Sequence, residues 1–127
     1  MSRFLWICLG GAVGTAARYL LSGWALALLG TTFPWGTLAV NVIGSFFIGA
    51  IMHVGLTTQV LSPTLRLALT TGVMGGFTTY SAFNYETLRS FQDGAWLMGF
   101  VNIAVMLASC LAAGVAGVWL ARLILAH

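Results

Sequence analysis

Few residues in this chain carry side chains that can do chemistry, and most stand in apolar runs. Arg18 lies fourteen residues beyond Phe4, inside such a run. A charge in a membrane-spanning segment costs at least about 2.5–3.5 kcal/mol on insertion scales, so Arg18 is a functional candidate. The alternative is snorkelling to an interface. An arginine lining an aqueous vestibule would satisfy both readings and would draw anions inward. Asn41 is one amide among Leu38, Ala39, Val40, Val42 and Ile43. In a dry pore its N–H groups can replace water around an anion, although an interhelical hydrogen bond is the commoner use of such a residue. Tyr80 and Phe83 are three apart and share a helix face. Aromatic packing would explain them, but ring edges are positive and could line an anion path. Glu86 continues that face, either at the mouth of a pathway or at an interface beside Arg89. Asn102 and Ser109 share a face further on and could extend a polar track, though a hydroxyl often bonds back to its own helix.

The stretch Gly72 to Asn84 joins these residues. It carries Gly72, Gly75, Gly76, Thr78, Thr79 and Ser81 within ten positions. Each glycine costs a helix roughly 1 kcal/mol against alanine, and the hydroxyls compete for backbone partners. The spacing predicts an unwound turn within Gly72 to Ser81. Unpaired backbone costs several kcal/mol per group in lipid, so such a turn must be buried in protein, line water or hold an ion. The expectation is an ion site.

The elements that position these residues are membrane helices. Of the 127 residues 60% are hydrophobic and 6% charged, against about 25% charged in a soluble domain. At roughly 20 apolar residues per span the chain holds four, at about 4–29, 36–55, 64–89 and 95–125. The fold class is all-α integral membrane, with the third helix broken mid-membrane. The first apolar stretch is too long for a cleaved signal peptide and reads as a retained helix. Gly10 and Gly14 would let a neighbouring helix approach, and Ala104, Ala108, Ala112 and Ala116 form a seam of the same kind. Arg3, Arg66 and Arg122 fall on one side of the membrane and Arg89 on the other. That weak bias permits insertion in both orientations, and hence an antiparallel dimer.

The net charge of +3 is small and scattered, which argues against nucleic acid. Cys8 and Cys110 read as buried packing residues, with no zinc-like spacing. His53 and His127 sit near span ends without a catalytic partner. There is no nucleophile–base pair, no carboxylate pair and no phosphate loop, so an enzyme is not expected.

Taken together, the motifs resemble those of the Fluc (CrcB) fluoride channels. The resemblance lies in Gly10-Gly11-Ala12-Val13-Gly14 with Arg18-Tyr19, in Gly36 to Ser45 around Asn41, and in Gly75-Gly76-Phe77-Thr78-Thr79-Tyr80-Ser81-Ala82-Phe83. It implies an antiparallel, dual-topology homodimer in the cell inner membrane, with two passive pores that export fluoride from the cytoplasm. It implies a central structural sodium held by backbone carbonyls at Gly75 and Thr78 of both copies. It assigns Tyr80 and Phe83 to the pore wall, Asn41 to the approach of the ion, Ser81 and Glu86 to the polar lining, and Arg18 to the vestibule. The family pattern has Phe and Thr where this chain has Tyr80 and Ala82. Tyr80 brings a hydroxyl to a ring edge, and Ala82 removes one beside the break. A small dual-topology multidrug transporter is the alternative, but it needs a carboxylate in the first span, where this chain has Arg18. A non-transporting membrane scaffold would leave Arg18, Asn41 and the break unexplained.

Overall fold

Three single helices are long and apolar enough to cross a membrane: α1 (Ser2–Leu29), α2 (Trp35–Thr57) and α6 (Trp96–Leu125). The computed structural model describes residues 1–127 and contains only helices and their connections. A further crossing is assembled from pieces: α3 (Pro63–Leu67), a π segment (Ala68–Met74), α4 (Gly75–Phe77) and, after an interruption, α5 (Tyr80–Gln92). The expected four-helix, broken-third-helix architecture is therefore present, with the first three spans extended by one to three residues at one or both ends and the fourth starting one residue later.

Local chemistry sets the boundaries. Gly30 ends α1 at φ 79°, and Gly94 turns the chain at φ 76°, a region that side chains with a Cβ avoid. Ser62 caps α3 by accepting from the Leu65 N–H at 3.2 Å, with Pro63 behind it. Such a cap satisfies one of the donors that a helix start leaves free.

The break falls at the threonines of that stretch. Gly75 is helical, at φ −62° and ψ −38°, and the chain leaves the helix at Thr78 (φ −86°, ψ 157°) and Thr79 (φ −149°, ψ 113°). The glycines serve close packing instead. A Cβ on Gly76 would strike the Gly11 carbonyl oxygen, one on Gly14 the Val73 carbonyl oxygen, and one on Gly10 would lie 2.6 Å from the Ala68 carbonyl oxygen. Small residues on both partners thus bring α1 backbone to backbone with the π segment and α4. The threonines, β-branched and able to bond locally, take the extended conformation.

α2 packs along α6, and α5 lies mainly on α6. A Cβ on Gly117 would strike the Phe46 carbonyl oxygen, so glycine again sets the approach. The alanine seam does not make this contact. Ala104, Ala108, Ala112 and Ala116 all face outward, and α6 packs through Gly99, Asn102, Met106, Gly117 and Ala121. Glycine admits a closer backbone than alanine, so the glycine row takes the inner face.

This packing predicts opposite effects for two alanine substitutions in α1. Gly14→Ala should lower the stability of the detergent-solubilised protein by about 1–3 kcal/mol through overpacking. Gly23→Ala, where nothing lies within 4 Å of the added methyl, should be neutral or slightly stabilising. Thermal unfolding of the two variants side by side is the check, and equal midpoints would reject the contact.

Candidate functional site

One stripe of α2 faces the broken crossing. Thr37, Asn41 and Gly44 follow at helical spacing and point the same way. Asn41 is buried, and its amide bonds the break from both sides: Oδ1 accepts from the Thr79 N–H at 2.8 Å and Nδ2 donates to the Thr79 carbonyl at 3.0 Å. The interhelical bond weighed for Asn41 is therefore made. Its remaining contact is weak, with Nδ2 3.5 Å from the thioether sulfur of Met106. One amide N–H thus has only the thioether as its acceptor. Gly44 makes room for this arrangement, since a Cβ there would strike the Thr78 methyl.

The break redirects two helical donors. In an uninterrupted helix the Thr79 N–H would bond the Gly75 carbonyl, and the Ala82 N–H the Thr78 carbonyl. Here the first goes to Asn41, and the second to the Thr79 hydroxyl at 3.2 Å, which caps α5. The carbonyls of Gly75 and Thr78 are among those that lose their regular donors at the break. The Thr78 N–H keeps its bond to the Met74 carbonyl at 2.9 Å.

Beside the break lies an open cleft of ≈ 360 Å³, lined by Asn41, Thr79, Tyr80, Phe83, Met106 and Cys110 among others. Tyr80 and Phe83 share it, with ring centroids 5.7 Å apart and planes at 69°, edge to face. Their environments differ: Phe83 is 7% exposed and Tyr80 75%. Ser81 is exposed and lies outside the cleft lining, its Oγ 3.3 Å from Thr79 Oγ1.

A second cavity of ≈ 610 Å³ opens at the far end of α5, between the α1–α2 connection and the Arg89–Asp93 turn. Glu86 lines it and accepts from Thr37 Oγ1 at 2.6 Å, while its Oε2 has no partner in the chain. Ser22 of α1 lines the same cavity. Arg18, half-buried, sits one helical turn from Ser22, outside the lining, and makes no bond within the chain. The Glu86 and Arg89 side chains are not paired; Arg89 sits 3.8 Å from Asp93. Along α6 the two polar residues part company. Asn102 is buried against Thr87, and the Ser109 hydroxyl bonds back to the Val105 carbonyl. Cys110 is half-buried, but Cys8 is exposed on α1, not packed inside as its apolar setting suggested.

Sequence reasoning did not single out Thr37, Thr87 or Met106. Thr37 stands one turn before Asn41, and that i, i+4 spacing was the available signal. Thr87 and Met106 carry none, because they matter through partners on another helix.

Comparison with known proteins gives the family. Residues 5–118 match the family model described as CrcB-like protein, Camphor Resistance (CrcB). The chain is 59% identical over 126 residues to the fluoride-specific ion channel FluC of Sorangium cellulosum, covering 99% of each. It is 51% identical over 122 residues to FluC of Geobacter sulfurreducens, covering 96% of this chain and 98% of that one. With FluC of Anaeromyxobacter dehalogenans the identity is 50% over 122 residues, or 96% of this chain and 97% of the other.

The clamp on the break has a measurable consequence. Asn41→Leu strips the Thr79 N–H of its acceptor, and a buried donor left alone costs about 1–3 kcal/mol. The expected result is a clear drop in thermal midpoint. Ser45→Ala is the control, a cleft neighbour that makes no hydrogen bond and should leave the midpoint in place.

Proposed function

The chain belongs to the CrcB family, and we infer that it is a fluoride-specific ion channel, a multi-pass protein of the cell inner membrane that lets fluoride leave the cytoplasm passively. The observation that carries the reading is the clamped break beside an aromatic pair, in a chain with near-full-length identity to proteins of that name. Fluoride is strongly hydrated, so a narrow path must replace its water with donors. The second Asn41 N–H and the positive edges of Tyr80 and Phe83 are donors of that kind. At the wider end, Ser22, Thr37 and Glu86 line a vestibule, with Arg18 one turn deeper. Ser81, at the exposed start of α5, belongs to the polar lining in this reading.

The working unit in this reading is an antiparallel pair of copies with two pores. Gly75 and Tyr80 are exposed in the single chain, and the weak bias of the arginines favours neither orientation strongly. The carbonyls of Gly75 and Thr78 suit a sodium ion, because a hard cation takes oxygen ligands and these two have lost their helical donors. When bound, the ion supplies the compensation that a broken helix needs in lipid and a fixed positive charge near the anion path.

Liposomes carrying the purified protein should release fluoride fast and chloride slowly, and Phe83→Ala should depress the fluoride rate with the dimer intact. If the parent is silent, Tyr80→Phe combined with Ala82→Thr separates a slow pore from a wrong assignment; continued silence rejects the channel. The sodium reading has its own check. Replacing sodium by N-methylglucamine throughout purification should weaken the dimer or the flux, and indifference to the exchange would reject it.

A further inference from the structure

We propose that Asn102 is a positioning residue for the fluoride path: through Thr87 it fixes Phe83, and it does not itself touch the ion. The proposal rests on the reading of Phe83 as a path residue.

Asn102 is 1% exposed and stands in the middle of apolar α6. An amide there is costly unless it is bonded. Its Nδ2 lies 2.9 Å from Thr87 Oγ1, and Thr87 Oγ1 lies 2.8 Å from the Phe83 carbonyl oxygen. A threonine hydroxyl has one proton. That proton goes to the Phe83 carbonyl, the only one of the two partners that must accept, so toward Asn102 the hydroxyl oxygen can only accept. The orientation of the amide follows: Nδ2 faces Thr87 and Oδ1 points away. A flipped amide would set two acceptors against each other.

Two observations exclude direct service to the anion. The amide atom left without a partner is Oδ1, an acceptor that repels fluoride. Asn102 also lines neither the cleft beside Tyr80 and Phe83 nor the vestibule beside Glu86.

What Asn102 does hold is α5. The break cuts this helix off from α4, and its main packing surface is α6. Asn41 ties the approach to its start and Thr37 ties Glu86, both from α2. The bond from Asn102 is the polar tie from α6, and it ends on the carbonyl of the residue whose ring lines the cleft. A small slide of α5 on α6 would move that ring edge, while the backbone of the break stayed clamped by Asn41.

The test uses full-length protein in liposomes. Asn102→Leu and Thr87→Val should each slow fluoride efflux roughly tenfold, the scale of one hydrogen bond. Thr87→Ser keeps the hydroxyl and should retain the parental rate. The double variant Asn102→Leu with Thr87→Val should be no slower than either single, because both cut one chain of bonds. A merely structural role would not move the second readout, the 19F NMR resonance of 4-fluorophenylalanine placed at position 83. It should shift or broaden in Asn102→Leu and Thr87→Val and stay parental in Thr87→Ser. If Asn102→Leu fails to fold, the Thr87→Val and Thr87→Ser pair still decides. A parental resonance in the valine variant, or additive losses in the double, would overturn the proposal. Undiminished flux in Phe83→Ala would instead defeat the path reading of Phe83 and leave the resonance test of the tie standing.

Discussion

The backbone of Thr79 has to find partners where water is absent, and the rest of the molecule follows from how it does so. A helix that stops at membrane depth exposes amide groups that lipid cannot satisfy. Asn41 meets both groups of Thr79 with one side chain, and the Thr79 hydroxyl restarts the helix by capping α5. That solution requires α2 to come very close to the break. Gly44, one turn along from Asn41, is what permits the approach. A larger residue there would separate the amide from the backbone it bonds.

The break also divides the crossing between two sets of neighbours. Its first half, with the π segment and α4, is sealed to α1 by glycine on both sides. Its second half, α5, leans on α6 and is tied there by one polar bond. The first half is therefore fixed by close backbone packing, and the second by a few directional bonds. The residues that face the cleft, Tyr80 and Phe83, lie on the second half.

This division explains which features were legible in the sequence. Hydropathy marks the spans, because apolar length is a local property. The break was legible to within ten residues in the crowding of glycines and hydroxyls, and the structure puts it at Thr78 and Thr79. Glycine signals both unwinding and close approach, and Gly75 and Gly76 turned out to serve approach. Asn41 could be read as a bond or as a donor, and only the position of Thr79 shows that the bond is made. Tyr80 and Phe83 do share a face, yet one is buried and the other open, which spacing alone does not reveal. Glu86 finds Thr37 across 49 positions of sequence, a contact the fold creates. The alanine row of α6 faces outward in the single chain, and the glycines of the same helix take the inner contact with α2.

Exposure in a single membrane chain does not distinguish a surface that lipid covers from one that needs another partner, but hydrogen bonding does. The outward faces of α1 and α6 are apolar, and hydrocarbon can cover them at no cost. The carbonyls of Gly75 and Thr78 are different, having lost their donors to Asn41 and to Thr79. A carbonyl accepts and cannot donate, and lipid tails offer it nothing. The phenolic hydroxyl of Tyr80, on a ring that is 75% exposed, makes the same demand. These three groups sit within one short stretch of chain, around the point where the helix stops. Whatever covers that stretch must bring donors or positive charge, which excludes lipid and leaves water, a cation or more protein.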